Sequence, residues 1–393
     1  MIFQLSCWIA GLVLALAWFS RIADAALGMP RIADVARPEW DRKPSSPAGE
    51  PRVSIVVPAR NEEQDIRQTL DSLLDLDYSN YEAIAVNDRS TDRTGQIMDE
   101  MAALPAAHGR LRAIHVSELP SGWMGKTHAM WIAAGQASGD WLLFTDADVI
   151  FKPDSLRRVV AYAEEERADH VVLFPRIIMK SAGERTMIAF FQALFVFGHR
   201  PWKVADPEAQ DHMGIGAFNM VRRTVYESVG TYKALRMEVL DDMKLGKIIK
   251  NAGFVQRNVF GEDLISLHWV RGTFGIVENL TKNFFALLSF QWPRTVASIV
   301  ALAFLNLGPF LGLWMAQGWA RIPYAVALAS LFGIYYGMSR FSDVAPYYFF
   351  LHPVSTCLVM YTVARSMVLT IRQGGIVWRG TKYPLEELRK GMV

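Results

Sequence analysis

The 393-residue chain is 51% hydrophobic and has a mean hydropathy of +0.15, which is more apolar than a soluble domain of this length, so part of it is expected in lipid. The formal charge of only +2 gives no overall basic field, and no RNA- or DNA-binding motif is present, so no nucleic-acid partner is expected.

The chain begins with an apolar segment at residues 2–20, which carries no charge and is long enough to cross a bilayer as a helix. A cleaved signal peptide is the alternative, favoured by the small residues at 23–25. The first residues lack a basic region, however, and the arginines follow the run. We therefore expect an uncleaved anchor at residues 1–21, with its amino terminus outside and the following chain in the cytoplasm. Residues 22–51 are predicted to form a linker, Pro-rich towards its end.

Strand-like and helix-like segments alternate through residues 52–272. The segments rich in β-branched or apolar residues are predicted strands and comprise residues 52–59, 81–87, 111–116, 140–148 and 169–177. Periodic segments between them predict helices, so the fold class is α/β, with β-α-β units around a mostly parallel sheet. Ligands bind at the carboxyl ends of the strands in such a sheet.

The region at residues 294–371 is apolar again and is predicted to hold three membrane segments, the second of them marginal in length, at residues 295–319, 322–338 and 345–371. Aromatic-rich segments at 186–200 and 274–292 are predicted interfacial helices, the second forming a segment at 273–293. The alternative is that each is a core helix of the globular domain.

The carboxyl-terminal tail, residues 372–393, is rich in arginine and lysine. The positive-inside rule therefore places it in the cytoplasm. Three crossings after a cytoplasmic domain would put it outside, so we expect one apolar segment to be re-entrant or not to cross.

Polar residues follow the first two predicted strands. Pro58, Arg60 and Glu62 stand where the first strand ends, and Asp88 ends the second. A loop at this place can offer amides and polar side chains to a nucleotide. The alternative is helix capping, by Asn61 in the first loop and by the residues after Asp88 in the second.

The third and fourth strand ends also carry charged residues. Lys126 is predicted beside a helix amino terminus, a natural place for phosphate, with a surface lysine as the alternative. Asp146 and Asp148 are two residues apart, so in an extended chain their side chains share a face. Hard cations such as Mg²⁺ or Mn²⁺ prefer carboxylate oxygens together with substrate phosphates, and they neutralise charge on a departing diphosphate.

A second acidic pair, Asp241 and Asp242, begins a predicted helix that runs to Asn251. One of the two could act as a general base toward an acceptor hydroxyl. The alternative is that both charges favour the positive end of the helix dipole. A glycine-containing loop at 212–223 lies just upstream, where its glycines would let the backbone approach a ligand closely.

The order of the motifs VPARNEE, VNDRSTDRT, GWMGKTHA, TDAD and LDDMKLG over residues 52–272 resembles the family 2 glycosyltransferases of the GT-A fold. With its flanking membrane segments, the chain is similar to membrane-bound lipid glycosyltransferases of the hopene-associated, carotenoid (4,4'-diaponeurosporenoate) and ceramide types. The resemblance implies a GT-A, Rossmann-like domain that binds a UDP-sugar and transfers the sugar to a membrane lipid.

The resemblance also implies roles for the residues at the donor site. Asp88 hydrogen-bonds the uracil, Pro58, Arg60 and Glu62 line the uridine pocket, and Lys126 lies near the nucleotide.

For the chemistry, the resemblance implies that Asp146 and Asp148 bridge the diphosphate through Mg²⁺ or Mn²⁺. The acidic pair of the family falls on Asp241 and Asp242, which makes Asp242 the general base of an inverting transfer. His268 is a candidate for a further metal ligand, with a core histidine as the alternative.

The chain departs from the family pattern at two places. Arg89 stands where the family usually has glycine, beside the nucleotide. The Q-x-x-R-W motif is absent, so a processive polysaccharide synthase is not expected, and Trp269 and Arg271 are weaker candidates for contacts with the acceptor.

The leading hypothesis is a multi-pass protein of the inner (plasma) membrane whose cytoplasmic domain moves a hexose from a UDP-sugar to a hydroxyl or carboxyl group of a membrane lipid. One alternative acceptor is a polyprenyl phosphate. Another hypothesis is a nucleotide-sugar-binding membrane scaffold without catalysis. Dinucleotide-dependent oxidoreduction is disfavoured because no G-x-G-x-x-G follows the first strand.

Overall fold

A computed structural model of the protein describes residues 2–44, 49–270 and 272–392. Contacts divide the chain into two compact units. The unit that we call the sheet unit comprises Ile32–Ile178, Lys203–Trp269 and Arg379–Val393, and the unit that we call the helical unit comprises Met1–Arg31, Met179–Trp202 and Val270–Trp378.

The described residues form twelve strands. In chain order these are β1 (Val53–Ala59), β2 (Tyr81–Asp88), β3 (Leu111–Val116), β4 (Trp141–Phe144), β5 (Val149–Phe151), β6 (His170–Leu173), β7 (Arg176–Ile177), β8 (Asn219–Arg222), β9 (Gln256–Val259), β10 (Ile265–Leu267), β11 (Gly375–Trp378) and β12 (Thr381–Pro384).

The α-helices of the same residues are α1 (Ile2–Gly28), α2 (Ile66–Leu74), α3 (Thr94–Ala102), α4 (Gly125–Gln136), α5 (Ser155–Glu165), α6 (Ala182–Gly198), α7 (Arg223–Ser228), α8 (Thr231–Ala234), α9 (Asp241–Asn251), α10 (Gly272–Leu287), α11 (Trp292–Leu302), α12 (Gly308–Met315), α13 (Arg321–Met338), α14 (His352–Gln373) and α15 (Leu385–Lys390). A π-helical turn at Ala303–Leu307 separates α11 from α12.

Seven strands form the main sheet of the sheet unit, in the order β3-β2-β1-β4-β8-β6-β9. Only β8 runs antiparallel to its neighbours, so the predicted α/β fold with a mostly parallel sheet is confirmed. Val53 pairs with both Tyr81 and Trp141, and β1, β2 and β4 therefore start at the same level. Their carboxyl ends meet at one edge of the sheet, where ligands bind in such folds.

The alternation of side chains along β1 builds a core on each face of the sheet. Val53, Ile55 and Val57 are fully buried in one hydrophobic cluster. Val56 is fully buried in a second cluster, which includes Leu245 of α9. Because the strand is covered on both faces, it is a continuous apolar run, and this is the signal from which the sequence predicted it.

Two predicted strands are interrupted. The strand predicted at residues 140–148 ends at Phe144, and β5 then begins a separate three-stranded sheet with β10 and β7. The strand predicted at residues 169–177 is likewise divided between β6 and β7. Asp146 and Asp148 therefore lie in a turn between two sheets and not on a strand.

In the helical unit, α1 continues to Gly28, beyond the predicted end of the anchor at residue 21. The Tyr324 hydroxyl of α13 donates a hydrogen bond of 2.7 Å to the Cys7 carbonyl of α1, which fixes these two helices together. The predicted interfacial segments correspond to α6 and α10, and both belong to the helical unit. Whether they lie in the membrane interface stays a prediction.

Within the described residues, three helical stretches are long and apolar enough to cross a membrane: Gln4–Arg31, Trp292–Met315 and Pro346–Gln373. Helix α13 lies between the last two and is not one of them. The expectation that one of the three carboxyl-terminal apolar segments does not cross stays a prediction.

Candidate active site

A cluster of charged side chains lies at the carboxyl end of the central strand β4. The Lys126 ammonium, in the first turn of α4, is 2.8 Å from Asp146 Oδ1 and 3.8 Å from Asp241 Oδ2. Asp242 follows in the first turn of α9 and lines the same cleft. Lys126 is therefore not an isolated surface lysine, because it lies between the two predicted acidic pairs.

Burial and mutual attraction decide how these groups ionise. Burial alone lowers the pKa of the Lys126 ammonium, but Asp146, Asp241 and Asp242 outweigh burial and raise this pKa above its usual value. Burial raises the pKa of Asp241 to about 7, while Lys126 opposes the increase. Asp241 Oδ2 is buried and has no hydrogen-bond partner among the described residues. A buried oxygen in this condition is suited to a ligand that brings its own donor or positive charge.

Asp148 occupies the turn after β4 together with Asp146. Burial, and then repulsion from Asp146 and Glu62, raises the pKa of Asp148 to about 7. A divalent cation bound at Asp146 and Asp148 would turn this repulsion into attraction, and paired carboxylates are the hard oxygen donors that Mg²⁺ and Mn²⁺ prefer. The residues therefore fit such an ion, although the reason given from the sequence, a shared face of a strand, is wrong.

Asp242 is held by a chain of buried hydrogen bonds. Its Oδ1 accepts a hydrogen bond of 2.7 Å from the Met243 amide, and its carbonyl accepts one of 3.4 Å from the Asn219 amide group. Asn219 Oδ1 contacts His170 Nε2, and Gln256 Nε2 donates to His170 Nδ1 at 2.7 Å. The three side chains come from β8, β6 and β9, so the sheet itself fixes the start of α9.

Two glycines of the predicted loop at 212–223 allow this close packing. A Cβ atom on Gly214 would lie 1.8 Å from the Asp242 carbonyl oxygen, and one on Gly216 would lie 2.5 Å from Asp146 Oδ2. Any side chain at Gly214 would therefore displace the backbone of α9. Because its glycines approach both Asp242 and Asp146 closely, the loop brings the two acidic pairs near each other.

The residues predicted for the nucleotide also come together, at the ends of β1 and β2. The Asp88 carboxylate is buried and accepts hydrogen bonds of 2.7 and 3.1 Å from Arg89, while Arg60 lies 4.0 Å away. Pro58 is buried in β1, and Glu62 follows in the loop. Arg89 has a φ of 54°, in the left-handed region that glycine, the usual residue of the family at this position, adopts without strain.

The capping alternative for Asn61 is wrong, because α2 begins only at Ile66. Asn61 instead connects the first two loops: its amide donates to Ser90 Oγ at 3.0 Å, and its Oδ1 accepts from the Thr91 amide at 2.8 Å. These hydrogen bonds hold the loops after β1 and β2 in register, which positions both sides of the predicted uridine pocket.

Sequence reasoning missed several residues of the site. Tyr232 and Asn219 line the cleft beside Asp146, Asp241 and Asp242. Asn219 could have been predicted from the sequence, since it stands in the glycine-containing segment 212–223 at the residue where the strand begins. Tyr232 has none, because it lies in a four-residue helix with no motif.

The third predicted metal ligand and the acceptor residues stay predictions. The described part of the chain holds no group of three or more His, Cys, Asp or Glu side chains placed to bind one metal ion, and the role of His268 stays a prediction. Trp269 is half-buried and packs against the core of the sheet unit. Arg271 lies outside the described residues.

The helical unit has a pocket of its own, with a volume of about 270 Å³. It lies between α10 and α14, and its wall includes Lys282, Arg365 and Trp378. The Lys282 ammonium is 4.0 Å from the centre of the Trp378 ring. With Glu278 also in the wall, the pocket carries one net positive charge beside an aromatic ring, which suits the polar, negatively charged end of an amphipathic molecule.

Part of the sheet unit matches a known family model. Residues 54–230 match the model of the family described as Glycosyl transferase family 2. The matched segment begins in β1 and ends after β8, so it includes the strand ends that carry Asp88, Asp146 and Asp148.

Two similar proteins cover most of the chain. The 4,4'-diaponeurosporenoate glycosyltransferase of Staphylococcus aureus (strain MRSA252) is 22% identical over 342 residues, which are 85% of this chain and 89% of that protein. A mannosyltransferase from Pyrobaculum calidifontis, solved in complex with GDP-Man and Mn²⁺, is 20% identical, has a TM-score of 0.51, and aligns over 93% of this chain and 98% of its own. The structural likeness confirms the predicted GT-A fold.

Proposed function

We propose, from the premise that this chain carries a family 2 glycosyltransferase domain, that it transfers a hexose from a UDP-sugar to a membrane lipid with inversion of configuration. The observation that carries the proposal is the cluster of Lys126, Asp146, Asp148, Asp241 and Asp242 at the carboxyl end of β4. The similarity to an enzyme named for a carotenoid acceptor supports a lipid acceptor.

Asp146 and Asp148 would hold Mg²⁺ or Mn²⁺. The ion would neutralise the charge that develops on the departing diphosphate. The Lys126 ammonium, 2.8 Å from Asp146, would orient that carboxylate and add a fixed positive charge beside the phosphates.

Asp242 would act as the general base. Its pKa is raised by burial, against the opposing effect of Lys126, and a base with a raised pKa accepts a proton more readily. The acceptor hydroxyl gives its proton to the Asp242 carboxylate, and its oxygen forms a bond to the anomeric carbon. The bond from that carbon to the diphosphate oxygen breaks, and UDP leaves. Attack from the side opposite to UDP inverts the anomeric configuration.

The course of the chain supports a cytoplasmic site. The sheet unit contains both residues 203–269 and residues 379–393, so an even number of crossings must separate them. The candidate spans Trp292–Met315 and Pro346–Gln373 supply two. With the amino terminus outside and a crossing at Gln4–Arg31, the sheet unit and the basic tail would lie on the cytoplasmic side of the inner (plasma) membrane, where nucleotide sugars are made.

A polyprenyl phosphate is the second candidate acceptor, and one observation favours it. The pocket of the helical unit carries Lys282 and Arg365, which suit a phosphate or a carboxylate better than an uncharged hydroxyl. An acceptor that is already an anion needs no general base. The response of the reaction to loss of the Asp242 carboxylate therefore separates a hydroxyl acceptor from an anionic one, whether carboxylate or phosphate.

The experiment uses detergent-purified full-length protein, membrane lipid extracts and a panel of donors that includes UDP-glucose, UDP-galactose, UDP-N-acetylglucosamine and GDP-mannose. Nucleotide release is measured with Mn²⁺ and with a chelator. We expect UDP release that requires both lipid and Mn²⁺. We expect it to fall by roughly 100-fold or more in Asp148→Ala and in Asp242→Asn. Asp263→Asn is the matched control, because Asp263 pairs with Lys152 through a surface contact.

Binding measurements by calorimetry separate the metal-binding role of Asp148 from the base role of Asp242. Asp148→Ala should weaken Mn²⁺-dependent UDP binding, whereas Asp242→Asn should leave it unchanged. Failure of the wild-type protein to bind any of these nucleotides would overturn the proposal. Binding without turnover on any lipid fraction would favour the scaffold, and full activity of Asp242→Asn would favour an anionic acceptor.

A further inference from the structure

The carboxyl-terminal tail is built into the sheet unit. Residues Arg379–Val393 belong to this unit although they follow the last membrane candidate, Pro346–Gln373. Leu388 of α15 is fully buried, and a Cβ atom on Gly391 would lie 2.4 Å from Met237 Cβ. The tail is therefore packed against the sheet unit through Leu388 and Gly391.

The anchored tail contacts the loop after β1. The Arg379 guanidinium contacts both the Glu62 carboxylate and the Arg60 carbonyl oxygen. Arg60 in turn donates a hydrogen bond of 3.0 Å to the Thr381 hydroxyl. Arg60 and Glu62 are two of the residues predicted to line the uridine pocket, so the tail lies at the end of the donor site that would hold the nucleotide.

Tyr383 extends the contact to α4 and to the end of β2. Its hydroxyl accepts a hydrogen bond of 3.1 Å from the Gly125 amide at the start of α4 and is also hydrogen-bonded to Arg89. Arg89 holds the Asp88 carboxylate. The Tyr383 side chain is buried, and it therefore connects the helix amino terminus with the residue predicted to contact the base.

The contact between the tail and the loops after β1 and β2 carries a net positive charge. In this group Arg60 and Arg89 balance Glu62 and Asp88 in formal charge, so Arg379 supplies the net positive charge. Its side chain is 40% exposed, so the charge lies at the surface of the sheet unit. A nucleoside diphosphate is an anion, and an additional cation beside its site favours binding and accelerates association.

On the basis of the proposed function, we propose that residues Arg379–Tyr383 form a wall of the donor site and that Arg379 binds the nucleoside diphosphate of the donor. Arg379 attracts the diphosphate anion. Tyr383 is a positioning residue, which holds Arg89 against the start of α4 for contact with the nucleotide. The tail that follows the membrane segments is thereby part of the catalytic unit.

The test compares nucleotide binding in full-length variants. UDP and GDP, each with Mn²⁺, are titrated by calorimetry into wild-type protein, Arg379→Ala and Tyr383→Phe. We expect the dissociation constant of the bound nucleotide to rise about tenfold in Arg379→Ala and about threefold in Tyr383→Phe. Lys382→Ala is the matched control, because Lys382 is exposed on the same segment, and its dissociation constant should change less than twofold.

Kinetics and salt dependence distinguish a binding role from a structural one. In Arg379→Ala the KM for the donor should rise, while kcat, the KM for the acceptor and the thermal midpoint stay close to wild type. The salt dependence of nucleotide binding should become weaker, and Arg379→Lys should recover part of the affinity. A lower thermal midpoint with an unchanged donor KM would instead indicate a structural contact and overturn the inference.

The outcomes also separate this inference from the proposed function. If the wild-type protein binds neither UDP nor GDP, both fail. If it binds one of them and the tail variants bind equally well, only the inference fails. Tighter binding in the variants would show that the tail competes with the donor, which also overturns it.

Discussion

The active site of the sheet unit and the helix bundle of the helical unit hold their polar groups in different chemical forms. In the active site the groups include ions, as in the contacts of Lys126 with Asp146 and Asp241. In the helix bundle a buried triad of Tyr335, His352 and Asn306 is neutral. Tyr335 contacts His352 Nδ1 at 2.9 Å, and His352 Nε2 contacts Asn306 Oδ1 at 3.1 Å. Because Asn306 Oδ1 can only accept, His352 donates from Nε2, and in the neutral ring Nδ1 then accepts from the Tyr335 hydroxyl.

The difference follows from what each unit has to bind. Burying ions costs free energy, so ions are expected where a ligand brings further charge. A helix bundle in lipid gains from neutral hydrogen bonds between helices and has no use for an unpaired charge. The ions of the sheet unit therefore serve chemistry, whereas the neutral triad of the helical unit serves packing. Three predictions test this division.

The largest expected effect comes from removing the cation of the sheet unit. Lys126→Met keeps the length of the side chain but leaves Asp146 and Asp241 without a counter-charge. We expect the free energy of unfolding to fall by about 3 kcal/mol and transferase activity to be lost. Adding Asp241→Asn should restore more than half of the stability, because one buried carboxylate is then neutral. Thermal unfolding in detergent measures both effects.

Lys233→Met is the control for this experiment, because Lys233 is exposed on α8, and its effect should stay within about 0.5 kcal/mol. A Lys126→Met variant as stable as wild type would show that the carboxylates are already neutral. In that case the charge contrast between the two units would disappear.

The features of the sheet unit that the sequence predicted are local ones. A run of β-branched residues ended by polar residues predicted β1 and β2 within one residue, and the acidic pair at the start of a periodic segment predicted α9 over Asp241–Asn251. The cluster around Lys126 could be predicted because parallel strands end at one edge of the sheet, whatever the distance between them along the chain.

The parts that the sequence did not predict depend on contacts between distant residues. His170, Asn219 and Gln256 look ordinary in their own strands and form a network only when β6, β8 and β9 become neighbours. Nothing local to Arg379 indicates that it contacts Glu62, more than 300 residues earlier. The turn at Asp146 and Asp148 was not predicted because the chain is apolar again in β5 directly after it. The sequence therefore shows no sign that β5 belongs to a different sheet.

The second prediction concerns His170, a titratable group of the sheet unit that burial keeps neutral. Burial lowers its pKa to about 4, against the opposing hydrogen bond with Asn219. Below about pH 6.5 the unfolded chain binds a proton at this histidine that the folded chain does not bind. Stability should therefore decrease as the pH falls from 6.5 to 4, by roughly 3 kcal/mol from this residue.

Thermal unfolding between pH 7.5 and 4.5 measures this effect as the difference between wild-type protein and His170→Gln. The variant should be less stable at pH 7.5 but should lose less stability on acidification. His108→Gln is the control, because His108 is exposed, and its pH dependence should match that of wild type. Equal slopes for all three proteins would show that His170 is protonated in the folded state.

The smallest effect is expected in the helical unit, from His352→Leu. This change leaves Asn306 Oδ1 without the hydrogen bond from His352, while Asn306 Nδ2 keeps its bond of 2.9 Å to the Leu302 carbonyl. Hydrogen bonds between helices in lipid contribute about 1 kcal/mol each, so the loss of stability should be of this order. The turnover of the folded fraction should not change. A large loss of activity at unchanged stability would mean that the neutral triad takes part in chemistry, and the division between the two units would then be wrong.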